Sequence, residues 1–125
     1  MRKDLVKELN KIVSIENKIY PTNAPQGIKA PYLVYMVKER GNKTLDGYND
    51  SKEANIMLNI MTNSYSQMVD LTNDIENLVK TFPHRNIGES TYIEDIILDE
   101  ISDNYESELQ VFRGIIPFTI YFKED

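Results

Sequence analysis

At 125 residues, 41% apolar and 27% charged, the chain has single-domain length and the composition of a folded protein, not a disordered one. It has no cysteine, which excludes disulfides, thiol nucleophiles and thiolate metal sites together. The formal net charge of −6 argues against wrapping nucleic acid, because phosphate affinity comes from Lys and Arg releasing counterions.

The distribution of charge says more than its total. Residues 1–52 hold ten Lys and Arg against six Asp and Glu; residues 53–125 hold four against fourteen. From Glu89 to Glu108 there are eight carboxylates and no Lys or Arg. Such a split suits head-to-tail association, in which one copy's basic side meets its neighbour's acidic side, although two differently solvated surfaces would give the same pattern. No stretch approaches the ~18 apolar residues of a membrane span. The N-terminus lacks the apolar core of a signal peptide, so synthesis and residence in the cytosol are expected.

Leu5, Val6, Leu9, Ile12 and Val13 recur at helical spacing and predict an amphipathic helix over roughly residues 3–15, with Asp4 in its first turn. A segment with three prolines, Tyr20 to Pro31, follows and precludes helix. Tyr32-Leu-Val-Tyr-Met-Val37 then reads as a strand. Residues 40–53 are polar, with Asp46-Gly47 as a turn signal, and predict a long loop. Ala54, Ile56, Leu58 and Ile60 share one face of a second strand over 54–62, closing a hairpin.

Ser64-Tyr-Ser-Gln67 is a capping-box pattern, and Met68, Leu71, Ile75, Leu78, Val79 and Phe82 form one apolar stripe behind it. Pro83 ends that helix. Residues 92–103 fit either a helix or a strand. Phe112, Ile116, Phe118, Ile120 and Phe122 alternate with polar neighbours in a closing strand, where Gly114 and Pro117 point to an edge or a bulge. The expected fold is α+β: an antiparallel or mixed sheet of about four strands with two helices on one face, in the order α-β-β-α-β-β.

The sequence lacks Gly-rich phosphate loops and paired-His metal motifs, so no cofactor is expected. His84, just past a helix end, suits a contact with terminal carbonyls or solvent better than general-base work. Glu94, Asp95, Asp99, Glu100 and Asp103 are the one dense polar constellation. They lack the alternation and central glycine of a calcium loop and read first as a solvated acidic surface. The eight tyrosines include five (Tyr20, Tyr32, Tyr35, Tyr48 and Tyr65) at expected loop and strand edges, where they suit protein interfaces.

Two ordered groups of residues carry a resemblance. They are Ala24-Pro-Gln-Gly-x-x-Ala-Pro-Tyr-Leu-Val-Tyr35 with Leu45-Asp-Gly-Tyr48, and the closing Asp103-x-Tyr-Glu-x-x-Leu-x-x-Phe-Arg-x-x-x-x-Phe-x-Ile-Tyr-Phe122. Together they resemble the tail-completion proteins of long-tailed bacteriophages, also called tail terminators or tail-to-head joining proteins, over nearly the whole of residues 1–125. The resemblance implies a non-enzymatic virion protein made in the host cytoplasm and placed at the head–tail junction. Its partners would be copies of itself in a ring, typically hexameric, the tail tube protein and the head connector; DNA would only pass through, and no membrane is involved. On this reading Lys43, Leu45, Asp46 and Tyr48 reach a neighbouring subunit or the tube. Glu94, Asp95, Asp99 and Asp103 face the ring's lumen, where like charge keeps DNA from sticking. Rival readings are another neck or minor tail component, a small metal-dependent hydrolase built on the acidic cluster, and a regulatory binding module.

Overall fold

The computed structural model describes residues 1–44 and 47–124, with side chains described outside 42–50. The four-stranded α+β layer expected from the sequence is not what forms. The chain is mostly sheet: seven strands in one strongly curled, half-barrel sheet of mixed direction, with two helices. In chain order these are α1 (Arg2–Leu9), β1 (Ile19–Pro21), β2 (Tyr32–Thr44), β3 (Gly47–Thr62), α2 (Tyr65–Val79), β4 (Arg85–Ile87), β5 (Thr91–Leu98), β6 (Ser102–Glu106) and β7 (Val111–Glu124). The spatial order is β1-β2-β3-β7-β5-β4, with β6 added to the other half of β7. Only the β1–β2 pair is parallel.

The curl follows from which faces are apolar. Ala54, Ile56, Leu58 and Ile60 of β3 and Ile116, Phe118, Ile120 and Phe122 of β7 all point inward and are buried. Adjacent strands twist by roughly 20–25° each, so a sheet this wide wraps round its own apolar face. The helices fill the interior of that wrap: Leu5 and Leu9 from α1, and Leu71, Ile75 and Val79 from α2, belong to the same core. Phe118 and Phe122 are central to it, and truncating either to Ala should cost about 3–5 kcal/mol.

α2 forms as its sequence requires. Ser64 is the N-cap, in extended backbone, and its hydroxyl accepts the Gln67 amide at 3.1 Å. α1 is shorter than the periodicity predicts. It stops at Leu9, and Val13–Ile15 make a separate 3-10 turn that buries Ile15 and leaves Val13 exposed.

Two further expectations are corrected, and one open choice, helix or strand over 92–103, falls to strand. The described part of the expected loop at 40–53, residues 40–44 and 47–53, is strand: the β2–β3 ladder runs on through Arg40↔Glu53 and Gly41↔Lys52 to Thr44↔Gly47. Their polarity reflects a ribbon that outruns the sheet, since Lys52↔Phe122 is the last pair between β3 and β7. Residues 92–103 form no helix but two strands, β5 and β6, broken between Leu98 and Ser102. Finally, β7 is central, not an edge. Pro117 is tolerated there because its missing N–H falls at the break between β5, which ends at Leu98↔Phe118, and β6, which starts at Ser102↔Ile115. Its carbonyl accepts the Asp99 amide at 3.0 Å in that gap. Gly114 serves close packing instead of a bulge: a Cβ there would stand 2.8 Å from Thr72 Oγ1 and 3.2 Å from Met68 Sδ on α2.

Candidate functional site

The face of the sheet turned away from the main core holds the features that could serve binding. At one end the Pro-rich segment folds over it. Ala24, Ile28 and Ala30 of that segment, with Tyr20, pack on Tyr32, Val34, Met61 and Val111 in a second, smaller apolar cluster. Beyond that cover the face is open. Met36 and Met57 are each 39% exposed and, with Pro117, floor a groove of about 380 Å³ rimmed by Lys38 and Asp99.

Beneath the Pro-rich segment lies a second recess of about 400 Å³, where Asn59 and Arg113 meet. Arg113 Nε donates to Asn59 Oδ1 at 2.9 Å, and its Nη1 reaches Glu106 at 2.8 Å. Asn59 is buried, and its Nδ2 has no hydrogen-bond partner among the described residues.

The edges of the sheet are the second feature. β1 covers β2 only as far as Tyr35, and β4 covers β5 only as far as Ile93. Past these points neither strand has an outer neighbour among the described residues. An uncovered edge offers a row of backbone donors and acceptors to another strand.

The residues singled out from the sequence do not converge. Leu45 and Asp46 lie outside the described residues, as do the side chains of Lys43 and Tyr48, whose backbones pair across the β2–β3 ribbon. Glu94 sits at the bulge of β5, accepts the Ser51 hydroxyl at 2.7 Å and lies 4.0 Å from Lys123. Asp95 is opposite Tyr121 and exposed on the open face, where Asp99 also lines the groove. Asp103 is opposite Gly114, on the face of β7 that packs against α2. The five acidic residues therefore do not form one constellation, since Asp103 faces away from Asp95 and Asp99. Among the described residues no three His, Asp or Glu side chains come together as metal ligands. His84 has positive φ, and its amide donates to the Ile93 carbonyl at 2.8 Å.

Two buried carboxylates brace the fold on the opposite, α1 side of the sheet. Asp4 of α1 accepts the amides of Glu89 and Ser90 at 3.0 and 3.2 Å and the hydroxyls of Ser90 and Thr91 at 3.2 and 2.6 Å. Burial alone would raise its pKa, but these four donors outweigh it and bring the carboxyl down to about 2. Gly88 makes the contact feasible, because a Cβ there would fall 2.1 Å from Asp4 Oδ1. Glu8 is bound by both Arg85 guanidinium nitrogens, at 3.0 and 3.3 Å, and by Lys11 at 2.9 Å. Burial opposes its ionisation, and the Arg85 and Lys11 contacts reverse that and lower its pKa. The sequence pointed to Asp4 as a favourable charge in a first turn; nothing local in it points to Glu89–Thr91 as the donors.

No family model matches the chain, and no curated protein matches it. Among solved structures, a chain described as from the virion of native gene transfer agent (GTA) particle is similar in fold. The TM-score is 0.64 over 94% of this chain and 91% of that one, at 6% sequence identity. The likeness spans both chains almost end to end, so it concerns the whole curled sheet with its helices and not a shared fragment.

Proposed function

We propose that this protein is a structural component of a phage-like virion, acting by binding other subunits and not by catalysis. Its role is that of a tail terminator: copies assemble in a ring on the end of the tail tube, stop its growth and present a surface to the head connector. The observation that carries this reading is the end-to-end fold likeness to a virion chain. It agrees with the independent resemblance of the Pro-rich segment, the β2–β3 ribbon and the closing strand to tail-completion proteins.

The geometry supplies what such a role needs. Beyond Lys52↔Phe122 the ribbon has no further strand beside it among the described residues, so its outer β2 edge can take a strand from a neighbour or from the tube. The open face carries Asp95 and Asp99, which suit a lumen that DNA must traverse without adhering.

Particles produced without this chain test the reading. A terminator's loss should leave tail tubes of uncontrolled length and few joined to heads, as seen by electron microscopy. Tubes of normal length that merely fail to join heads would refute termination and assign the protein to the connector side of the neck.

A further inference from the structure

We infer that copies of this protein join edge to edge, the second half of β2 in one copy adding as an antiparallel strand to the second half of β5 in the next. The inference rests on the ring reading above and names the interface that closes the ring.

The free parts of the two edges overlap in height. The ladder registers align Lys38 with Asn55, Thr119 and Ile97 in one row, and Arg40 with Glu53, Tyr121 and Asp95 in the next. Leu98 is level with Val37 in the same way, so the uncovered stretch of β5, Glu94–Leu98, lies level with Val37–Arg40 of the uncovered part of β2. Direction also agrees. β2, β3, β7 and β5 alternate antiparallel, so β5 runs opposite to β2. Rotation about an axis along the strands preserves that relation, and the neighbour's β2 arrives antiparallel to β5.

The backbone groups then meet in phase. The Tyr35 carbonyl points outward, since it accepts the Thr22 amide, and alternation turns Val37 and Glu39 outward as well. Asp99 donates to Pro117, toward β7, so Ile97 faces inward and Ile96 and Leu98 face out. Placing Lys38 opposite the neighbour's Ile97 sets Glu39 against Ile96 and Val37 against Leu98, each with outward groups. Charge favours the same register: Lys38 comes diagonal to Asp95 and Asp99, and none of the three has an ion pair among the described residues. In the single copy both edges are guarded by charged side chains. Arg2 reaches the Val37 carbonyl at 3.4 Å, and the Asp95 carboxylate takes the Ile96 amide at 2.8 Å. Such guards keep an edge from pairing indiscriminately and must be displaced when the proper partner arrives.

Disulfide trapping tests this, because the chain has no cysteine of its own. Lys38 and Ile97 are exposed, and opposite one another across the interface they would form a close, non-hydrogen-bonded pair within disulfide reach. Within one copy they lie three strand spacings apart, roughly 14 Å, too far to bond. The Lys38→Cys/Ile97→Cys protein, oxidised alone at high concentration or on tail tubes, should give a covalent ladder ending at the ring's subunit number. A mixture of the two single variants should stop at dimers. As a second measurement, Lys38→Glu should weaken association several-fold and Asp99→Lys should restore it. A ring of wild-type mass with no 38–97 ladder and no charge-swap rescue would overturn the interface and leave the ring reading standing. No oligomer under either condition would overturn both.

Discussion

Replacing Asp4 by Asn removes a charge that four donors converge on while changing little in shape. The carboxylate is 5% exposed and accepts from Glu89, Ser90 and Thr91, so Asn would keep one acceptor and turn an NH₂ group toward donors. Charge-assisted hydrogen bonds contribute about 1.5–3 kcal/mol each when broken singly, and those sharing one carboxylate do not add, so a loss of about 2–4 kcal/mol at pH 7 is expected. Linkage gives a second, independent handle. The folded-state pKa is depressed from 3.8 to about 2, so the contribution is complete above pH 4 and is lost as pH falls through 2. Discounted for screening by nearby solvent, that titration carries about 1–2 kcal/mol. Urea unfolding of both proteins between pH 7 and pH 2 would read it: the gap between wild type and Asp4→Asn should narrow over the last two pH units. A gap that stays constant from pH 7 to pH 2 would refute the assignment of the stability to this carboxylate.

Arg85→Ala should destabilise by about 2–3 kcal/mol, since it leaves the buried Glu8 with Lys11 as its one remaining cation, and Arg85→Lys should recover little because it cannot repeat the two-nitrogen grip; thermal melts distinguish them. Gly114→Ala should cost about 1–3 kcal/mol by forcing β7 from α2, and adding Thr72→Ala should return part of it, measured by denaturant midpoint. Ser64→Ala should cost about 1 kcal/mol through the lost cap on Gln67, with Ser64→Asp close to neutral in the same assay.

α2 was legible in the sequence because its signals are local: a cap at Ser64, an apolar stripe from Met68 to Phe82 and a proline at 83, with the helix itself ending at Val79. The inward rows of β3 and β7 were legible for the same reason, since strand alternation shows in the residues themselves. What was not legible depended on partners. β1 and β4 have three residues each, too short for a periodic signal, and they exist because longer strands offer an edge. Residues 40–53 read as a loop because they are polar and show no apolar alternation, and only the pairing of one strand with the other makes them a ribbon. Pro117 pointed to an edge, and only the gap between β5 and β6 explains how a proline sits in the central strand. The acidic residues were visible as a group, yet their grouping was lost once the interruption between β5 and β6 put Asp103 on the opposite face from Asp95. Lys38, whose place in the groove and at the free edge makes it informative, has no distinction in sequence beyond its charge.

The most direct test of the central claim is the number of copies bound per tail tube, counted on purified tubes sheared to different lengths and incubated with the protein. A ring that caps the tube end predicts a fixed stoichiometry of about six copies per competent end, independent of tube length, as a closed ring requires. Copy number rising in proportion to tube length, or no binding to tubes, would contradict it.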